Sequence, residues 1–227
     1  MAPSPLQFHH PTALLLIDNQ NGFTHPTHWG TTRSNPHYET NLSTLLTTFR
    51  RASTTTSAAA SSSLQIIHIF HSSTTPSSPL HPSYTLPNTA NKGIDPLPDF
   101  TPHANEKTIY KTVNSSFIGT DLEEYLRAQD IRQLIVAGLT TDHCVSTTVR
   151  MAANLGVVDR VKRKEEGGGM QAEVEKGRIV LVGDATATWD RAGWDAETVH
   201  AVSLASLDGE FAEVMGTKEV VRALQGV

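Results

Sequence analysis

The chain has 227 residues, with 18 Lys and Arg against 23 Asp and Glu, and a formal net charge of −5. Charged residues make up only 18% and carry no basic excess, so the footprint of a nucleic-acid binder is missing. A chain of this length buries a substantial core without staples and fits a single domain, residues 1–227. Its one cysteine excludes an intrachain disulfide and points to a reducing compartment. The apolar run at 13–17 stops at Asp18, too short for a signal segment or a membrane span. The reading is a soluble, cytoplasmic protein with no membrane partner.

Taken in chain order, strand-like and helix-like segments alternate. Residues 12–17 form a continuous apolar run, as in a strand buried on both faces. Residues 40–52 carry Leu42, Leu45, Leu46 and Phe49 at helical spacing. Residues 52–63 are rich in Ser, Thr and Ala and read as a mobile loop or frayed helix end. A strand is expected at 64–70, and a long Pro-, Ser- and Asn-rich loop at 72–105, suited to a lid or a binding wall. A short strand at 108–112 follows. Residues 120–127 then read as a helix opened by a capping box of Thr120 and Glu123. Next come a buried strand at 134–139, a polar turn at 140–142, and a helix with Val145, Val149 and Ala152 on one face. Residues 162–176 read as a surface insertion; the glycines at 167–169 lack the pattern of a phosphate loop. A strand at 178–183 and helices at 196–211 and 218–224 complete the chain. Alternation of this kind specifies an α/β fold, a parallel sheet with helices on both faces. Ligands in such folds bind outside the carboxyl ends of the strands.

That rim is where the chemistry-bearing residues fall. Cys144 starts a helix just past a strand, where backbone N–H groups and the helix dipole favour a thiolate. A lone cysteine serves equally well as a small buried hydrophobe. Asp18 ends the first strand and Lys111 the 108–112 strand, so both share the rim with Cys144. Singly, the Asp could cap a turn and the Lys could be solvated. Together a carboxylate, an ammonium and a thiol make a nucleophile, a base and a charge to hold both. His68, inside an apolar strand, reads as a core histidine, and His71, at its end, as facing a pocket. Phe23, Trp29, Phe117 and His143 lie near these residues in sequence and are candidate substrate-binding walls. Phe23 and Phe117 fit the core equally well, and Trp29, in a polar loop, fits a pocket or a subunit interface. Trp189 and Trp194 flank the 184–193 turn as packing or subunit-contact residues.

Three segments together resemble the isochorismatase-like cysteine hydrolases: Leu16-Ile-Asp18-Asn-Gln20-Asn-Gly-Phe23, Lys111-Thr-Val-Asn-Ser-Ser-Phe117-Ile-Gly-Thr120, and Val136-Ala-Gly138-Leu-Thr-Thr-Asp142-His-Cys144-Val145. The likeness continues through Asp184-Ala-Thr-Ala-Thr188. It implies a three-layer α/β/α sandwich around a mainly parallel sheet, a catalytic triad of Asp18, Lys111 and Cys144, and a cis peptide at Leu139–Thr140. It also implies an oxyanion hole from the N–H groups of Thr140 and Cys144. The implied reaction is thiolate attack on a small amide, lactam or carbamoyl compound through a thioester acyl-enzyme, and the implied assembly is a dimer or tetramer. Nicotinamidases of this family hold a metal through an Asp-x-His pair. The matching place here reads His68-Ile-Phe-His71-Ser72 without that Asp, so neither a metal nor another cofactor is expected, with His68 and His71 the residues left as possible ligands. The stretch from His71 to Leu80 is most similar to the lactam and amide hydrolases related to streptothricin hydrolase. Two alternatives stand beside this reading: vinyl ether cleavage of the isochorismatase type, and a non-catalytic scaffold whose site is closed by the 72–105 loop or the 162–176 insertion.

Overall fold

In a computed structural model, which describes residues 5–55, 64–166 and 169–226, the first apolar run becomes strand β1 (Thr12–Ile17), buried along its whole length. Side chains alternate across a strand, and β1 divides the interior accordingly. Leu14 and Leu16 join one apolar cluster, and Ala13, Leu15 and Ile17 join the other. Helix α1 (Tyr38–Thr55) covers the first cluster with Leu42, Leu45, Leu46 and Phe49. Helix α2 (Leu122–Ala128) covers the second with Leu122 and Leu126, and α3 (Ser146–Leu155) with Val149 and Ala152.

A strand buried on both faces also needs partners on both edges. β1 pairs in parallel with β2 (Leu64–His71) on one side and β4 (Gln133–Leu139) on the other. Beyond β2 lies β3 (Lys107–Lys111). After a hairpin of β5 (Arg160–Glu166) and β6 (Gly169–Glu175), β7 (Arg178–Ala187) and β8 (Glu213–Met215) extend the sheet past β4. The six-stranded sheet runs β3-β2-β1-β4-β7-β8, with every pairing parallel. Helices α4 (Ala196–Ala205) and α5 (Thr217–Gln225) complete an α/β three-layer fold. From β1 the chain builds outward through β2 and β3, then returns to lay β4 on the other edge of β1. The reversal opens a crevice at the carboxyl ends of β1 and β4, where doubly wound sheets place their sites.

Four local expectations are corrected or bounded. The helix foreseen at 196–211 ends at Ala205, because Gly209 adopts φ +77° in a reverse turn whose N–H bonds the Ala212 carbonyl at 2.9 Å. The Thr120–Glu123 capping box does not form: the Thr120 hydroxyl turns back to donate to the Ser116 carbonyl at 2.6 Å, and Asp121 takes the cap position. The 162–176 insertion is an antiparallel hairpin outside the main sheet, and Gly167 and Gly168 lie outside the described residues. Of the stretch at 52–63, residues 52–55 belong to α1 and the rest lies outside the described residues.

The 72–105 loop contains a short 3-10 turn, Pro98–Phe100, and is tied to the segment following β1. The N–H groups of Asn21 and Gly22 bond the carbonyls of Asp95 and Gly93 at 2.9 and 2.7 Å. A Cβ on Gly22 would lie 2.6 Å from Leu80, so the loop is pressed against this segment as a wall. Among the described residues no helix is long and apolar enough to cross a membrane.

Candidate active site

The crevice is tight because β4 approaches β1 through a glycine. Gly138 has φ +125°, and a Cβ there would stand 2.1 Å from the Ile17 carbonyl oxygen. The next peptide, Leu139–Thr140, is cis. The chain then makes one wide turn, Thr141–Val145, closed by the Val145 N–H on the Thr140 carbonyl at 3.1 Å. Cys144 lies in this π-turn, one turn earlier than the regular helix, and is 7% exposed.

Asp18 follows β1 directly at φ +55°, a left-handed conformation that Asp tolerates better than most residues. Lys111 is the last residue of β3 and reaches across the end of β2. Its Nζ donates to Asp18 Oδ2 at 2.8 Å and to Cys144 Sγ at 3.2 Å, and lies 3.2 Å from His71 Nδ1. The ammonium's three hydrogens are thus matched to three acceptors. Both side chains of the Asp18–Lys111 pair are completely buried. Asp18 Oδ1 is buried with no hydrogen-bond partner among the described residues. Asp18, His71 and Cys144 each offer a ligand atom within 4.8 Å of the other two, a spacing a metal ion could use. The cation hydrogen-bonded to all three is the Lys111 ammonium.

The electrostatics follow from burial and this pairing. Burial disfavours charge on Lys111, but Asp18 and Cys144 outweigh it, and the Lys111 pKa rises. Burial, reinforced by the Asp18 charge, pushes the Cys144 thiol up against the pull of Lys111. Helix-start reasoning led to a thiolate at rest. In the folded crevice, desolvation and the Asp18 charge act in the opposite direction and raise the thiol pKa. Burial first and Lys111 second lower the pKa of His71, so its ring is neutral near pH 7 and can accept from the ammonium.

A cavity of about 200 Å³ opens over Cys144, smaller than the usual pocket for a drug-sized ligand. Phe23, Trp29, His71 and His143 line it, as does Thr140. Phe23 stacks on Trp29 with centroids 4.5 Å apart and on Trp189 at 5.8 Å. Trp194 is 63% exposed. Phe117 is placed differently: it is buried in the apolar cluster with Leu122 and Val149, outside the lining. Serines 115 and 116 before it are also buried, so the segment dives under the site and takes the ring into the core. His68 is a core residue, its Nε2 2.8 Å from Glu106 Oε2.

Sequence reasoning missed five lining groups, of which His28 sits beside the predicted Trp29. Ser78 and Leu80 come from the long loop, Asn114 places Oδ1 3.8 Å from Cys144 Sγ, and Arg191 comes from the turn after β7. Asn114 lay within a segment already singled out for its likeness. Arg191 had no local signal, since only folding brings the turn after β7 to the mouth of the cavity.

Comparison with known proteins adds the family. The isochorismatase domain model matches residues 12–219. The chain belongs to the isochorismatase family. Bacillus subtilis YrdC, a protein of this family, is 35% identical over 214 residues, covering 92% of this chain and 94% of its own. The crystal structure of an isochorismatase-family protein from Chromobacterium violaceum is 34% identical with a TM-score of 0.76, covering 99% of this chain and 100% of that one. The ureidoacrylate amidohydrolase RutB of Caulobacter vibrioides is 38% identical over a shorter stretch of 52 residues, 23% of each chain. A cysteine hydrolase from Pseudomonas syringae shares the fold at 22% identity, with a TM-score of 0.69 and coverage of 99% and 96%.

Proposed function

We propose that this protein is a cysteine-dependent hydrolase of a C–N bond in a small amide, lactam or carbamoyl compound. The observation that carries the reading is the Lys111 ammonium, held between Asp18 Oδ2 and Cys144 Sγ, with Asp18 Oδ1 left unpartnered. A buried carboxylate oxygen without a donor is costly, and here it is the open site for a proton. Asp18 takes the thiol proton as Sγ attacks the carbonyl carbon, and Lys111 stabilises the sulfur charge as it develops. The N–H groups of Thr140 and Cys144 receive the oxyanion, where one donor is typically worth roughly 10²–10³ in rate. Asp18 then returns the proton to the leaving nitrogen, and ammonia or an amine departs. A thioester remains on Cys144, and water, deprotonated by Asp18, releases the acid. Phe23, Trp29, His71 and His143 form the walls around the substrate. In this reading the proton moves as the electrophile arrives, in keeping with a thiol whose pKa burial raises.

The test is a panel of primary amides, lactams, ureas and carbamoyl compounds, read by ammonia or amine release. Cys144→Ala is expected to remove turnover by on the order of 10⁴-fold or more. Intact-mass spectra of the wild type are expected to show a transient acyl adduct on Cys144. Undiminished turnover by the alanine variant would sink the mechanism, and isochorismate turnover by that variant would redirect it to ether cleavage.

A further inference from the structure

The cavity over Cys144 carries a charge that the proposed chemistry does not use. Arg191 is the one guanidinium or ammonium among the described residues lining it, and no carboxylate is among them. Lys111, beneath the cavity, is committed to Asp18, His71 and Cys144. The remaining lining groups that could hold charge, His28, His71 and His143, all have pKa values lowered first of all by burial, which leaves them neutral near pH 7.

Arg191 is also held in place. Its backbone N–H bonds the Trp194 carbonyl at 3.0 Å, and the Trp194 N–H returns a bond of 2.8 Å, closing a tight turn. Its Nε donates to Asp142 Oδ2. Asp142 is itself fixed by the Thr188 hydroxyl, is 11% exposed, and stands behind Arg191 outside the lining. With Nε on Asp142, the two terminal nitrogens have no acceptor among the described residues, and the side chain is 30% exposed. A guanidinium oriented through Nε, with its terminal nitrogens open, presents a fork matched to a carboxylate. Asp142 therefore acts as a positioning residue and Arg191 as the contact.

The geometry points to Arg191 as the specificity residue of this site, binding a carboxylate on the part of a small amide substrate remote from the scissile carbonyl. The inference rests on the hydrolase reading for its electrophile, and on the cavity alone for its anion. The aromatic face of Phe23 and Trp29 covers the apolar link between the two ends.

Cys144 is the only cysteine, so alkylation tests the anion site without turnover. Iodoacetate and iodoacetamide differ only in carrying a carboxylate or a carboxamide. With either, the S–C bond forms, the C–I bond breaks, iodide leaves and the thiol proton passes to Asp18. The ratio of the iodoacetate to the iodoacetamide rate constant is expected to be about 10- to 100-fold higher in the wild type than in Arg191→Gln, the range for hydrogen bonds to a charged group. Arg191→Lys, which keeps the charge without the fork, is expected to fall between, and it serves as the test should Arg191→Gln fail to fold. An equal ratio in wild type and variants overturns the proposal. So does a variant that slows both reagents by one factor, which is what a merely structural role would produce. Hydrolysis of oxamate, malonamate and succinamate, each against its diamide, separates this proposal from the reaction itself. Turnover with no acid-over-diamide preference sinks the anion site and leaves the hydrolase standing. An intact alkylation preference with no turnover of any amide leaves the anion site standing and sinks the hydrolase.

Discussion

Two buried charge clusters sit at opposite ends of strand β3, and they are built to different rules. Glu106, just before the strand, is 4% exposed and uses both carboxylate oxygens. Arg50 donates to Oε1 at 2.7 Å and to Oε2 at 2.8 Å, and His68 Nε2 and the His103 N–H each lie 2.8 Å from Oε2. Asp18, joined to Lys111 at the far end of the strand, uses one oxygen and leaves the other bare. The orphan atom in the Glu106 cluster is a ring nitrogen, His68 Nδ1, whereas the orphan in the Asp18 cluster is a carboxylate oxygen beside a thiol. A saturated buried carboxylate holds structure together, and an unsaturated one keeps room for a proton.

The largest effect that tests this contrast is expected from Lys111→Met. It should abolish amide turnover, as Cys144→Ala does, but also lower stability by about 3–5 kcal/mol, because Asp18 is left as an unpaired buried charge. Urea unfolding beside an ammonia-release assay reads both. Cys144→Ala removes one of the three acceptors of Lys111 but leaves Asp18 and His71 on it, and should cost less stability than Lys111→Met. A Lys111→Met protein of wild-type stability would mean that the Asp18–Lys111 pair is not the buried charge pair described here.

The Asp18 side of this contrast was legible in the sequence, the Glu106 side was not, and the unreadable part has a physical reason. β1 and β4 were visible as apolar runs because a strand buried on both faces has few polar positions to blur the pattern, and β2 was visible despite Gln65 and His68. The rim placement of Asp18, Lys111 and Cys144 followed from strand ends alone. Hidden were quantities set by neighbours distant in sequence. The thiol's upward shift depends on how completely the crevice is desolvated. The descent of Phe117 into the core depends on the burial of residues 115–116. Arg191 meets the cavity through long-range partners, Asp142 and the Thr188 that fixes it. Thr120 had the right spacing for a capping box, but its hydroxyl had a nearer acceptor in Ser116.

A smaller effect, and one without loss of chemistry, is expected from Glu106→Gln. The variant keeps the shape but weakens what holds Arg50 and His68, and about 3 kcal/mol of stability should go while kcat/KM per folded molecule stays at the wild-type value. Burial alone would raise the Glu106 pKa, but the hydrogen bonds from Arg50, His68 and the His103 N–H outweigh it and hold the carboxyl far below its ordinary 4.5. A depressed carboxylate pKa gives stability that is fully present above the unfolded value and is lost as pH falls through the folded one. Wild-type stability should therefore decline below about pH 4.5, and the Glu106→Gln curve should be flatter there. A parallel acid decline in both proteins would assign that loss to other carboxylates.

The smallest expected effect apportions the Glu106 cluster itself. Arg50 is 22% exposed, so part of its charge is already solvated and its pairing with Glu106 is screened. A double-mutant cycle of Arg50→Met and Glu106→Gln, read by urea unfolding, should give a coupling of about 1 kcal/mol. That is less than the whole cost of Glu106→Gln, because His68 and the His103 N–H are bonded to the same carboxylate and lose its charge independently of Arg50. A coupling equal to the full single-variant loss would make Arg50 the sole partner that matters and reduce the cluster to one ion pair. A coupling near 1 kcal/mol would show a carboxylate whose stabilisation is shared among several donors, the condition that Asp18, with one donor and one bare oxygen, does not meet.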